Sequence, residues 1–565
     1  MKKNRKSKKK LKVIDKLGVQ LMAIAYPEDD SLGSIHVINI KDIDGRIKEL
    51  LVPSVDILNS SSIKKHFVEN QFPIPSDKQR WELIMKEINK ATNKRAIIVP
   101  TPGFIDHNYL ISNNVCIGAE NGIGPFYDLN NPISVPSDDV QGSLEEWREN
   151  IAVYALNSSR LMLAICSAFS SYLLRWSGNE SGGFHFCGDS STGKSTCLYT
   201  AVSVIGPREC NGTWSATESG LEQKAAGHND RLLSLDELMG LDDDFTQAAK
   251  KARKIVYKLT SGQCRVVSKN YTSIKQQKSL KWRVCILSTG EFSLAEHALE
   301  GGTIRHRGEQ ARLIDVSADV DMGKGIFESL PDNFDTANDL IKHLDNYTRD
   351  VYGVAQLVFL RKLVRDLKKD KELVVKRIRK CMDNFMVVNN VDSSNGFQIR
   401  FAERFALAYA AGIFAMKYGL LPFDSTQIMN GISSCYINAL SIRPVSIEDL
   451  TAEAKQAILD VLRNGNLLGL GKKGHVLSIE QTKSADGFKL KMKGQSVRCL
   501  TRKKLEELIK DKIVMDRVIN EFKMEGRLLC DSKGRSTRSI ATRLPGCNIS
   551  RVFCFKPKSK MKTAA

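Results

Sequence analysis

An α/β core is what this sequence predicts, and three observations predict it. Residues 182–201, "GGFHFCGDSSTGKSTCLYTA", run an apolar strand into an octet rich in Gly, Ser and Thr and then into a helical pattern. Some forty residues later "RLLSLDEL" sets an apolar strand, Leu232 to Leu235, directly ahead of Asp236 and Glu237. From about residue 143 to 320 strands and helices alternate, as they do in a sheet with crossover helices.

The elements can be read in chain order. Residues 17 to 55 alternate in strand fashion ("VQLMAIAYP", "SIHVINI") around the turn "DIDGR". Helical signals at 78–91 and the strands "RAIIVPTPGF" and "NNVCIGAEN" follow, so a small α/β or β-rich domain is expected over 1–135. "DLNNPISVPSDD" is punctuated by Asn, Pro and Asp and marks a boundary before a helix starting near Ser143. The α/β core is expected over 140–330 and a helical, lid-like continuation over 331–440. Beyond "SIRPVS", residues 446–565 read as a helix, a Gly-rich turn, one long helix ("RKKLEELIKDKIVMDRVINEFKMEG") and two strand-like pieces, "RSIATRLP" and "SRVFCFKP". Helices followed by a basic hairpin are the sequence pattern of a winged helix.

Composition bounds the class. At 565 residues the chain is too long for one core. The most apolar stretches, 161–174 and 405–423, are short or interrupted by Ser or Lys, so buried helices are expected rather than membrane spans. The Lys-rich start has no apolar stretch behind it, which speaks against a signal peptide. Thirteen cysteines lie without a C-x-x-C pair, so neither a disulfide framework nor a zinc site is expected, and a reducing cytoplasmic location is. The net charge of +20 is uneven: residues 1–12 carry eight positive charges, and 451–565 carry 26 Lys/Arg against 11 Asp/Glu. That leaves the residues between at −3. A basic block with helix and strand patterning points to nucleic acid.

The octet Gly188-Asp189-Ser190-Ser191-Thr192-Gly193-Lys194-Ser195 fits G-x-x-x-x-G-K-[ST], a P-loop whose backbone N–H groups and helix N-terminus collect phosphate charge. Lys194 is expected to reach the β- and γ-phosphates of ATP, Ser195 to ligate Mg²⁺, and Thr196 to follow as the next helical residue of the binding segment. Hydrolysis needs one carboxylate near the Mg²⁺ shell and a second to deprotonate or orient water, roles suited to Asp236 and Glu237. A third apolar strand, "WRVCILSTGE", ends in Ser288-Thr289, where a hydroxyl can sense the γ-phosphate; Thr289 is the first choice and Ser288 the second. In "HRGEQARLIDV", Arg312 precedes another strand and is a candidate to reach a neighbouring subunit's nucleotide, with Arg305 and Arg307 as rivals. Between the second and third strands, residues 264–284 hold six Lys/Arg and no acid in a hairpin-like pattern, which suits a phosphate backbone.

These motifs, with "WSATESGLEQKAAGHNDRLLSLDE" and "QIRFAERFALAYAAGIFA", resemble the AAA+ ATPases of the MCM type, and more closely the MCM-like, self-loading replicative helicases of staphylococcal chromosome cassettes and pathogenicity islands. The resemblance spans roughly residues 25–425 and implies an AAA+ core. It implies an ATP- and Mg²⁺-dependent DNA helicase that forms a homo-oligomeric ring, usually a hexamer, with single-stranded DNA in its channel and no membrane. It places Lys194, Ser195, Asp236 and Glu237 in the Walker roles, Thr289 as sensor 1, Arg312 as the arginine finger, and Lys269 at a hairpin tip flanked by Arg265 and Lys275. Arg400 stands in the place of sensor 2, with Arg404 as the alternative, and Trp214–His228 stands for a short helix-2 insert. A C-terminal winged helix would grip duplex DNA, with Arg535, Arg538, Arg543 and Arg551 as wing candidates. An initiator or helicase loader that hydrolyses ATP without processive unwinding is the alternative.

Overall fold

The computed structural model describes residues 13–27, 33–113, 115–119, 125–127, 133–242, 244–264, 280–301, 303–442, 447–469, 478–492, 495–509, 512–531, 534–539 and 551–556. They fall into two compact units, one of residues 1–241, 252–293 and 311–441 and one of 242–251, 294–310 and 442–565. Among the described residues no helix is long and apolar enough to cross a membrane.

The first unit begins with a five-stranded sheet in the order Ile47–Pro53, Ile35–Lys41, Val19–Pro27, Arg95–Val99, Phe126–Tyr127. Its first three strands are antiparallel and its last two run parallel to Val19–Pro27. The "DIDGR" turn forms because the Asp42 carboxylate accepts the N–H groups of Asp44 and Arg46, while Gly45 takes φ 79°. Helices Ser60–Glu69 and Lys78–Ile88, capped by Asn59 and Asp77, cover one face of this sheet.

A short antiparallel meander, Gly103–Ile105, Asn108–Ser112 and Val115–Ile117, does not belong to that sheet's core. Its Phe104, Tyr109, Ile111 and Ile117 share one apolar cluster with Trp176, Phe184 and Phe359. The expected boundary near 135 therefore differs from the packing, which changes core at about residue 100. Likewise the helices Ala337–Asp350, Val354–Val388, Gly396–Lys417 and Ser425–Ser441 bury their apolar faces in that same cluster rather than forming a core of their own.

The central sheet is wholly parallel, in the order Gly212–Thr213, Arg231–Asp236, Val284–Gly290, Gly182–Cys187, Leu313–Ser317. Its three longest strands are buried almost end to end, as strands covered on both faces must be. Helix Ser159–Ser177 is buried nearly throughout, with Ser158 as its N-cap and Gly178 in the left-handed conformation closing it. The strand that feeds the P-loop lies between two strands that come later in the chain, so the order reverses there. A reversal of this kind opens a crevice at the carboxyl ends of the strands.

In the second unit, helices Ile447–Asn464, Ile479–Ser484, Arg502–Leu508 and Lys512–Met524 accompany a sheet ordered Leu467–Gly469, Gly487–Met492, Gln495–Leu500, Arg551–Phe555, Arg538–Ser539. Ile458, Leu462, Leu505, Val518, Phe522 and Phe555 form its core. The single long helix expected over "RKKLEELIKDKIV…" is two, because Ile509 adopts an extended backbone (φ −135°, ψ 97°) and buries its side chain in this core. The pair Gly487–Met492 and Gln495–Leu500 was not expected; its exposed Lys489 and Lys491 hide the strand alternation.

Candidate nucleotide site

The P-loop turns on three positive-φ residues: Gly188 at 146°, Ser191 at 66° and Gly193 at 99°. Ser191 is held in a region that costs a non-glycine residue on the order of 1–3 kcal/mol, a strain that collects at binding loops. Gly193 is the N-cap of helix Lys194–Ile205 and supplies no side-chain hydrogen bond, so the helix start offers its N–H groups to an anion. A Cβ at Gly193 would stand 3.0 Å from Ile326, so the loop is also closely backed. The Lys194 ammonium donates to the carbonyls of Gly188 (2.6 Å) and Asp189 (2.7 Å), folding back over the loop. Thr192 donates to the Asp189 carbonyl at 2.9 Å. Asp189, Ser190, Ser191 and Ser195 are exposed, whereas Thr192 and Thr196 are buried.

Parallel register brings the acidic strand to the same edge. Ser288 stands opposite Leu235 on one side and His185 on the other, and Thr289 and Gly290 are level with Phe186 and Cys187. Thr289 therefore reaches across: its hydroxyl donates to the Asp236 carboxylate and accepts the Glu237 backbone N–H at 3.4 Å. Glu237 itself is exposed and takes φ 60°, a turn that separates its direction from that of Asp236. Of the two hydroxyls weighed from sequence, Thr289 faces the carboxylates and Ser288 does not.

Ser288 is instead fully buried between two partners. It accepts from the Trp214 indole N–H at 3.0 Å and lies 2.7 Å from His185 Nδ1. His185 Nε2 is 3.0 Å from the Phe292 carbonyl, which can only accept, so Nε2 carries a hydrogen while Nδ1 pairs with the Ser288 hydroxyl. The Glu291 carbonyl, next to Phe292, accepts the Gly188 N–H at 3.1 Å. A buried polar chain thus joins Trp214, the middle strand and the loop that braces the P-loop. Nothing in the linear sequence signals it, since it depends on register.

Tyr199, one turn beyond Ser195, was also missed. Burial first, and then the Asp236 charge, push its hydroxyl above the ordinary range, while the Arg208 guanidinium lies 4.3 Å from its ring centre.

The arginines divide. Arg312 lies at the amino end of strand Leu313–Ser317, where its carbonyl accepts from Gly183 (2.8 Å) and its guanidinium lies over the Tyr257 ring at 5.2 Å. That is the end of the sheet away from its own P-loop, about 17 Å along a strand of this length. Arg404 bonds the carbonyls of Glu180, Ser181 (3.1 Å) and Ala311 (3.4 Å), and burial lowers its pKa. It staples helix Gly396–Lys417 to the chain entering two core strands, while Arg400, one turn earlier, is exposed. In the second unit Arg305 is buried and bonds the Glu309 carbonyl at 3.3 Å, and Arg307 opens the short helix Arg307–Gln310.

Arg265, Lys269 and Lys275 lie outside the described residues, as does Arg543. The residues on either side of that segment are described: Gln263 and Lys281 bridge in antiparallel fashion, and Cys264 and Trp282 donate to Leu280 and Gly262. Helix Glu218–Gly227, within the Trp214–His228 segment, ties to Lys254 and Lys258 through Glu218 at 2.7 and 2.9 Å. In the second unit Arg535 and Arg551 both bind the Asp531 carboxylate at 2.7 Å, and Arg538 pairs with Val552 in the closing hairpin.

A family model described as "Domain of unknown function (DUF927)" matches residues 4–279, slightly under half of the chain. No match is found among curated proteins. The structure titled "SCCmec type IV Cch - active helicase" is similar at 17% identity with a TM-score of 0.59, covering 95% of this chain and 92% of that one. An apo structure of the NrS-1 C-terminal region aligns over 86% of this chain and 97% of that one at 11% identity, with a TM-score of only 0.26. The chain therefore has the fold of the SCCmec type IV Cch structure over nearly its whole length.

Proposed function

We propose that this protein is an ATP-dependent DNA helicase that works as a ring, with its ATP site at the crevice between Gly188–Ser195 and Asp236–Glu237. The observation that carries the reading is the Thr289 hydroxyl set between Asp236 and the Glu237 backbone beside an open helix N-terminus. The cradle fits a nucleotide: positive φ at Gly188, Ser191 and Gly193 bends the loop ahead of the helix start at Lys194, and the Lys194 ammonium sits over that loop. Ser195 and Asp236 would hold Mg²⁺, which neutralises phosphate charge when bound. Glu237, exposed and turned away from Asp236, would take a proton from the attacking water. Arg312 would serve a neighbouring subunit's nucleotide, a reading supported by its lying at the amino end of its own sheet, and Arg400 would take the sensor 2 role.

The remaining assignments follow the same reading. The bridge between Gln263 and Lys281 would carry the basic hairpin, with Arg265, Lys269 and Lys275, against single-stranded DNA. Helices Arg502–Leu508 and Lys512–Met524 of the second unit, with the closing strands, would form a winged helix on duplex DNA, with Arg535, Arg538 and Arg543 on phosphates. Arg535 is already held by Asp531, so its contact would be with a neutralised rather than a bare guanidinium. The likeness to a protein titled an active helicase supports unwinding over helicase loading. Replication of a mobile element is the cellular setting proposed.

Strand displacement from a forked duplex with ATP and Mg²⁺, run beside Glu237→Gln, tests the proposal. Unwinding by the parent protein and none by the variant is expected. Hydrolysis without unwinding would make the protein an initiator or loader.

A further inference from the structure

Outside the candidate nucleotide site, helix Val354–Val388 of the first unit carries a marked excess of positive charge. It carries ten Lys/Arg and four Asp/Glu in 35 residues, on a stretch of chain that is net acidic overall. A solvated helix face normally mixes signs, because i,i+4 pairs of opposite charge stabilise it and like charges do the reverse. Here Arg361, Lys369, Lys376, Arg377, Arg379 and Lys380 are exposed, and among the described residues none has an ion-pair partner.

The backbone gathers these charges. Asp370 leaves helical geometry (φ −162°, ψ 93°) and its carboxylate accepts the Leu373 N–H at 2.9 Å, so it caps a second helical segment and breaks the rod in two. Tyr418, on the chain leaving the neighbouring helix, marks where both halves meet. Its hydroxyl, pushed up by burial and by Asp366, is opposed by Arg365 from one half and Arg377 from the other, and its carbonyl accepts from Lys362. At Cys381, where burial raises the thiol, Lys417 and Lys380 oppose it from two helices. Lys362, Arg365, Arg377, Lys380 and Lys417 therefore share one face, which Arg361, one turn before Arg365, and Lys376, one turn before Lys380, extend; Asp366 is the carboxylate bonded within it, to Arg365 at 3.0 Å.

We infer that this face, centred on Arg361, Arg365, Arg377 and Lys380, is a second DNA-backbone contact of the motor unit, separate from the hairpin and the C-terminal region. Guanidinium forks pair with phosphate oxygens in a way ammonium groups do not, and three of the four central residues are arginines. This rests on DNA being the ligand of the protein.

The test measures affinity of the full chain for a fluorescent 30-base-pair duplex across a salt series, with sedimentation run in parallel. The variant is Arg361→Gln, Lys376→Gln, Arg377→Gln and Lys380→Gln combined. Each duplex phosphate contact contributes about −0.9 to the slope of log affinity against log salt. The expected result is binding at least tenfold weaker with the slope reduced by about 3, while DNA-free ATP hydrolysis, melting and sedimentation stay unchanged. An Arg361→Lys/Arg377→Lys chain should keep the slope. Unchanged affinity and slope would overturn the inference alone. Loss of assembly would also overturn it, assigning the face to a subunit contact, as would unchanged DNA binding with lost retention on polyglutamate, assigning it to an acidic protein. A parent chain that binds no duplex would bring down the DNA reading as a whole.

Discussion

Thr289 binds Asp236 across the edge between two neighbouring parallel strands, and the same oxygen accepts the N–H of Glu237. One hydroxyl thereby sets the carboxylate proposed to face Mg²⁺ and the turn that aims the proposed base.

Replacing it separates position from presence. Thr289→Val keeps the shape but removes both bonds, and a hydrogen bond to a charged group is worth about 1.5–3 kcal/mol, so turnover should fall by about ten- to a hundredfold. Thr289→Ser should recover most of it. Steady-state ATP hydrolysis with a melting curve for each variant decides; loss in Thr289→Ser with none in Thr289→Val would mean the methyl group, not the hydroxyl, matters.

Lys194 and Glu237 should fail differently. Lys194→Ala is expected to weaken ATP binding itself, whereas Glu237→Gln should bind ATP normally and not hydrolyse it. Filter binding of labelled ATP beside phosphate release distinguishes the two, and full activity in Lys194→Ala would remove the site.

The position of Arg312 predicts complementation. Arg312→Ala and Lys194→Ala chains, each inactive alone, should regain part of the ATPase activity when mixed, because a mixed interface can pair an intact P-loop with an intact arginine. No recovery in any ratio would argue that Arg312 only packs on Tyr257.

Ser288→Ala should be a stability variant. It strands the Trp214 indole N–H and His185 Nδ1 in a fully buried site, at a cost of about 1–3 kcal/mol each. Urea denaturation reads this directly, and a loss under about 0.5 kcal/mol would mean the chain relaxes around the gap.

His228 predicts an acid limit. It is buried, donates from Nδ1 to the Lys224 carbonyl at 2.8 Å, and burial, followed by the nearby Arg231 charge, lowers its pKa to about 3. The unfolded chain takes up this proton near pH 6.5, the folded chain only near pH 3, so stability should fall as pH drops through that window. His228→Gln should flatten the decline in a denaturation series from pH 7 to 4; an identical slope would place the sensitivity elsewhere.

Much of the core could be read directly from sequence because its signals are local. Gly188–Ser195 carries its own turn chemistry, and Leu232–Glu237 declares both strand and strand end. What escaped was non-local. Residues 103–117 look like the end of a first domain, yet Asp230 accepts the Phe104 N–H at 3.0 Å and its carbonyl accepts from the Tyr109 hydroxyl at 3.0 Å, contacts more than a hundred residues away. Ser288 and Thr289 are equivalent in sequence, and only pleating decides which one meets Asp236. The break at Ile509 was hidden because burial, not helix propensity, sets it.

The meander has a practical consequence for dissecting the protein. A fragment beginning at residue 140 would expose Trp176 and Tyr172, shed the Phe104 and Tyr109 rings packed on them, and leave Asp230 with only Arg283 for company. Such a piece would be sticky and short-lived in solution. A fragment beginning near residue 100 keeps that lid of aromatic rings in place, so the central sheet can be studied without the first four strands of the other sheet provided the scissors fall before Gly103.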